Sequence, residues 1–84
     1  MDLFSEFIKF FKGKTAVVNI IHKIYGGQKS IIRNFQPFCS NNKIGFLVND
    51  HEVFLYFDEI ESTEFNGNEF IINGSLQKMS VKLI

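Results

Sequence analysis

Two histidines, one cysteine and a cluster of acids are the residues with catalytic or metal-binding potential in this 84-residue chain. His22 and His51 could ligate a metal together with Cys39 or Glu52, since imidazole, thiolate and carboxylate are the common zinc donors. No spacing among them matches a known ligand pattern. The plainer reading is one strand histidine and one turn histidine. Cys39 as a nucleophile needs a base and an orienting group close in space, and the flanking Phe38 and Ser40 form no nucleophile signature. It reads as a small, buried or half-buried thiol. Asp58, Glu59, Glu61 and Glu64 could supply a carboxylate pair for acid–base work. In a strand, Glu59 and Glu61 share a face and Asp58 lies opposite. A solvated acidic face guarding a sheet edge explains them without chemistry. No catalytic residue, metal or cofactor is assigned, and the chain is read as non-enzymatic.

The basic residues are a better candidate for binding. From Lys9 to Lys43 every charge is positive, and from Asp50 to Glu69 every charge is negative, although the net charge is zero. Such sorting marks either an anion-binding face or two surfaces that attract each other. Lys23, Lys29 and Arg33 lie around one predicted hairpin, with Tyr25 and Phe35 close by. Charge with an aromatic platform is what single-stranded nucleic acid requires. The competing reading pairs these cations with the acidic strands inside the same fold. The segment Tyr25-Gly26-Gly27-Gln28-Lys29 is not a phosphate loop, because no helix follows to supply its dipole.

The elements that must position these residues are legible in outline. Residues 2–12 place Leu3, Phe4, Phe7, Ile8, Phe10 and Phe11 within an arc of about 160° at helical period. Asp2, Ser5, Glu6, Lys9 and Lys12 take the other side, and Gly13 sits where helices commonly end. From there the period is two. A strand apolar on both faces is predicted from Ala16 to Tyr25, followed by a Gly26-Gly27 hairpin and a strand over 29–35. Pro37 ends that strand or places it at a sheet edge. Asn41-Asn42 and Asn49-Asp50 punctuate strands at 44–48 and 53–57. A strand over 60–65 leads through Asn66-Gly67 to Phe70–Ile72, and Asn73-Gly74 precedes the final strand at 78–83.

Length, cysteine content and apolar content limit the rest. A chain of 84 residues is one domain, here 1–84, and it buries only roughly 60–65% of its unfolded surface. Cys39 is the sole cysteine, so no intrachain disulfide supports the core. Eleven phenylalanines and no tryptophan supply much of the apolar surface, which is more than one small core need enclose. No segment reaches the ~20 apolar residues of a membrane span. Asp2, Glu6 and Lys9 do not suit a secretory signal. A membrane-surface role for the helix is disfavoured, because two lysines merely balance two acids. These features suggest a cytoplasmic protein.

The order of helix, glycine hairpin and short strands resembles Sm-like barrels. Gly26, Gly27, Lys29 and the run Asn34-Phe35-Gln36-Pro37-Phe38 fall roughly where that pattern places them. That resemblance implies a ring binding single-stranded RNA through Lys23, Lys29, Arg33 and Tyr25. Tyr56-Phe57-Asp58-Glu59-Ile60 departs from it, with acids where basic residues are expected, and the Asn66-Gly67 hairpin is additional. Residues 52–83 are also similar to the later strands of bacterial pleckstrin-homology-like domains, without their terminal helix. The expected architecture is mainly β: an N-terminal amphipathic helix (2–12), then a small antiparallel barrel or curled sheet (15–84) of five to seven strands. The expected function is a binding or assembly module acting through self-association or protein contact. Phe4, Phe7 and Phe11 are predicted to pack inward or across an interface, Phe54 and Tyr56 to offer a second apolar interface face, and single-stranded RNA binding is the alternative.

Overall fold

A computed structural model describes residues 3–84. Helix α1 spans Leu3–Phe11; Asp2, the expected first helical residue, lies outside the described residues. The apolar arc turns inward, with Phe7 and Phe11 fully buried while Ser5 and Lys9 stay in solvent. Gly13 stops the helix at φ +75°, a conformation that costs glycine nothing because it has no Cβ. The chain is tied down immediately afterwards. The Gly13 N–H donates to the Phe35 carbonyl at 2.7 Å, and the Phe35 N–H donates to the Lys14 carbonyl at 2.8 Å.

Eight antiparallel strands follow: β1 (Ala16–His22), β2 (Gly26–Ile32), β3 (Gln36–Cys39), β4 (Lys43–Val48), β5 (His51–Tyr56), β6 (Ile60–Asn66), β7 (Glu69–Gly74) and β8 (Gln77–Leu83). They form a five-stranded sheet in the order β2-β1-β8-β7-β6 and a three-stranded sheet in the order β3-β4-β5. The result is two curled sheets rather than a closed barrel. The mainly β architecture behind one amphipathic helix is as the sequence predicts, with one strand more than expected. That strand is β3. It contains Pro37, which has no N–H to give to a ladder, and it lies at a sheet edge where the loss is tolerated.

Two turns differ from expectation, the first by two to three residues and the other by one. The β1–β2 loop is Lys23-Ile24-Tyr25, closed by the His22↔Gly26 pair, with Gly26 at φ +87°. A three-residue loop followed by a left-handed glycine is a standard hairpin solution. Lys23 and Tyr25 are therefore turn residues and not part of the strand. The β6–β7 loop is Gly67-Asn68, not Asn66-Gly67, because Asn66 pairs with Glu69. At the β4–β5 turn both Asn49 and Asp50 have positive φ, as the sequence suggests for a tight two-residue loop.

The core lies between the two sheets and under the helix. Phe7 stands 4.7 Å from Phe70, 5.4 Å from Phe11 and 6.1 Å from Phe35 between ring centroids. Phe35 continues to Phe46 of the second sheet at 5.0 Å. Val18, Ile72, Met79 and Val81 of the first sheet, with Ile44 and Leu55 of the second, complete the buried set. No polar or charged residue is buried among the described residues. A domain of this size has a total stability of about 4–13 kcal/mol, and emptying a buried phenylalanine site costs about 3–5 kcal/mol. Phe7→Ala is expected to remove at least about a quarter of the unfolding free energy in urea, whereas Phe4→Ala, at a half-buried site, is expected to cost less than half as much.

Candidate functional site

The residues with catalytic potential are held in structural roles and stand apart. His22, at the end of β1, accepts two backbone hydrogen bonds at Nδ1, from the N–H of Ile24 at 3.1 Å and of Tyr25 at 3.4 Å. Its ring lies 4.8 Å from that of Tyr25, so the imidazole caps the hairpin turn. Cys39 is exposed at the end of β3, not half-buried as expected. It pairs in register with Ile44, which pairs with Leu55. His51 lies four residues further along β5, about 13 Å at the rise of a strand. Among the described residues no three His, Cys, Asp or Glu side chains converge as metal ligands.

The acids are dispersed as well. Asp58 and Glu59 belong to a 3-10 turn over Phe57–Glu59, where a Glu59 carboxylate oxygen accepts the Tyr56 N–H at 3.1 Å. Glu61 falls at the register shift between Ile60 and Ser62 in β6. The predicted shared face of Glu59 and Glu61 does not form, because a turn and a bulge separate them. Glu64 is exposed on regular β6.

The predicted interface residues divide. Phe7 and Phe11 are enclosed in the chain's own core, so in this fold they offer nothing to a neighbour. Phe4 is half-buried and stacks on Phe57 at 5.2 Å. Phe54 and Tyr56 lie on the face of β5 opposite buried Leu55, as the alternation predicts, with their rings edge-to-face at 5.0 Å. Lys43 covers this patch. Its ammonium sits 4.3 Å from the Phe54 ring and 2.5 Å from the Glu52 carboxylate. Gly45 is opposite Phe54 in the adjoining strand, and a Cβ there would come within 1.9 Å of the Val53 carbonyl oxygen.

The largest unshielded apolar surface is elsewhere, on the β1–β2 hairpin. Tyr25, Ile24 and Ile31 are 85%, 73% and 67% exposed. Ile21 of β1 and Leu76, in the turn before β8, are also exposed. Leu76 adjoins the hairpin tip, since its carbonyl accepts the Lys23 N–H at 2.9 Å. The sequence shows both faces of β1 to be apolar but not which face lacks cover.

Register sets the charges on the outer face of the five-stranded sheet. One row reads Ile31, Val17, Lys82, Glu69 and Asn66 from β2 to β6, and the next reads Lys29, Asn19, Ser80, Ile71 and Glu64. Lys29 and, just past β2, Arg33 lie at one side; Lys78 and Lys82 are on central β8; Glu69 and Glu64 lie at the other side. The basic set proposed for nucleic acid is thus brought onto one hairpin, but strung along it, since β2 alone is about 20 Å long. Lys23, Lys29 and Arg33 have no carboxylate within ion-pair distance among the described residues.

Beneath β2, on its inner side, a groove of about 250 Å³ opens between the sheets. Its walls are Val18, Ile20 and Ile32 on one side and Phe46, Val48 and Val53 on the other. Gln28 and Ser30 line it from β2. No described helix is long and apolar enough to cross a membrane. No protein-family model, curated protein or solved structure matches the chain.

The Lys43 patch makes a stability prediction. Exposed ion pairs are worth about 0–1 kcal/mol, so Glu52→Gln should barely move the thermal midpoint. Lys43→Ala also uncovers Phe54 and should lower the midpoint further. Equal effects in calorimetry would show that the ammonium–ring contact adds nothing.

Proposed function

We propose that the protein is a non-enzymatic binding and assembly module, and that two copies associate through the outer faces of their five-stranded sheets. The observation that carries this reading is the combination of exposed apolar side chains and graded charge on that one face. A two-fold axis parallel to the strands sets β2 of one copy over β6 of the other. Lys29 and Arg33 then oppose Glu64 and Glu69 of the second copy, twice, Ile31, Val17, Ile21 and Ile71 lose water on either side of β8, and Lys78 and Lys82 of the two copies meet along the axis. Such an interface is isologous and closes as a dimer, and its complementary charges fix orientation.

Five strands at about 4.8 Å spacing and about 20 Å in length give a face of roughly 480 Å². Two stacked faces enclose on the order of 1,000 Å², at the low end for a specific interface. The dimer is accordingly concentration-dependent and weakened by salt, which screens exposed charge pairs. A lone exposed cysteine suits a reducing cytoplasm.

A second reading has its own support. Tyr25 is almost fully exposed at the hairpin tip, and the nearby cations have no carboxylate within ion-pair distance among the described residues. That arrangement would let a single strand of RNA stack and track along β2.

Size-exclusion chromatography with light scattering, recorded at 260 and 280 nm, separates these readings. The dimer reading predicts a salt-sensitive, nucleic-acid-free dimer. It also predicts that Lys29→Glu with Arg33→Glu gives a monomer, and that adding Glu64→Lys with Glu69→Lys restores the dimer. A strict monomer at high concentration contradicts it, and co-purifying nucleic acid favours the RNA reading.

A further inference from the structure

An edge strand presents unpaired backbone groups, and proteins guard such edges against pairing with other chains. Three of the four edges here are occupied or interrupted. β3 carries Pro37. β6 has a register shift that leaves Glu61 as an extra residue. On β5, the Phe54 carbonyl already accepts the Gln77 side-chain amide at 3.5 Å. β2 has none of these devices. It runs seven residues in unbroken register with β1, from Ile32 opposite Ala16 to Gly26 opposite His22, and has no strand on its other side.

The same edge overlies the 250 Å³ groove. Ile31 lines that groove although the register places its side chain on the outer face. The groove therefore reaches round to the open edge of β2. Strand addition uses these two features together: main-chain pairing supplies affinity, and pockets receiving alternate side chains supply specificity. On the outer side, Lys29 and Arg33 flank the edge as exposed cations with no carboxylate within ion-pair distance among the described residues.

We propose that β2 accepts an extended segment of a partner protein in which apolar residues alternate with acidic ones. Its backbone continues the five-stranded sheet as a sixth strand. Its apolar side chains enter the groove against Ile32, Val48 and Val53, and its carboxylates face Lys29 and Arg33 on the outer side. All eight described strands are already committed to their own sheets, so none of them is the donor. The proposal rests on the reading of this protein as a binding module but not on the dimer, which competes with the peptide for Lys29 and Arg33.

The probe is a fluorescein-labelled nine-residue peptide alternating valine and glutamate, compared with a valine–lysine peptide of equal length. Fluorescence anisotropy should show saturable binding of the acidic peptide and at least tenfold weaker binding of the basic one. At saturation, amide exchange over 26–32 should slow at least tenfold. Absent binding, equal binding of both peptides, or protection confined to other strands would overturn the proposal. Ser30→Phe, which plugs the groove, should abolish peptide binding and leave the dimer intact; if that variant does not fold, the exchange footprint on the unmodified protein decides. Glu64→Lys with Glu69→Lys should abolish the dimer without weakening peptide binding, so the two readings fail separately.

Discussion

The ring of Phe7 packs against Phe11, Phe35 and Phe70, and through Phe35 the contact continues to Phe46. These rings join the helix, the five-stranded sheet and the three-stranded sheet into one interior. The chain has a single cysteine and no buried polar network among the described residues to assist them. Aromatic burial is the dominant favourable term available to a domain this small. The helix is consequently a structural plug. Its aromatic face is spent on the protein's own core, which leaves recognition to the strands.

That division explains where binding surfaces can lie. The inner faces of both sheets are filled except beneath β2, where Ile32, Val48 and Val53 border open space. No described element covers the outer face of the five-stranded sheet, and its apolar residues concentrate toward β1 and β2. The outer face of the three-stranded sheet is instead partly shielded by its own Lys43, held between an aromatic ring and a carboxylate. One hairpin therefore contributes both the uncovered face and the unguarded edge, and Lys29 and Arg33 serve both.

Local pattern made much of this fold readable, and non-local pairing hid the rest. The helix, the final strand and the Asn49-Asp50 turn follow from periodicity and from residues that tolerate positive φ. β3 was hidden because Pro37 argues against a strand unless its edge position is known. The hairpin loops shifted, by one residue at Asn66-Gly67 and by two to three at Gly26-Gly27, because turn residues leave the register undecided until the partner strand fixes it. The sorting of charge along the chain survives only in part. Lys78 and Lys82, remote in sequence, arrive between the basic and acidic sides because β8 pairs with both β1 and β7. The site was harder still. The two-sided apolar character of β1 signals a second apolar face, but only the sheet order reveals that nothing covers it. Phe7 and Phe11, the most conspicuous interface candidates by composition, are the residues the core needs most.

The central claim is that the outer face of the β1–β2 hairpin and its sheet is the surface through which the protein contacts a second copy. A dilution series of amide nitrogen–proton NMR spectra tests it residue by residue. The account predicts concentration-dependent shifts at Val17, Ile21, Lys29 and Ile31 together with Glu64 and Ile71, and none at Lys43, Phe54 or Tyr56. Shifts confined to Lys43, Phe54 and Tyr56, or none at any concentration, would contradict it.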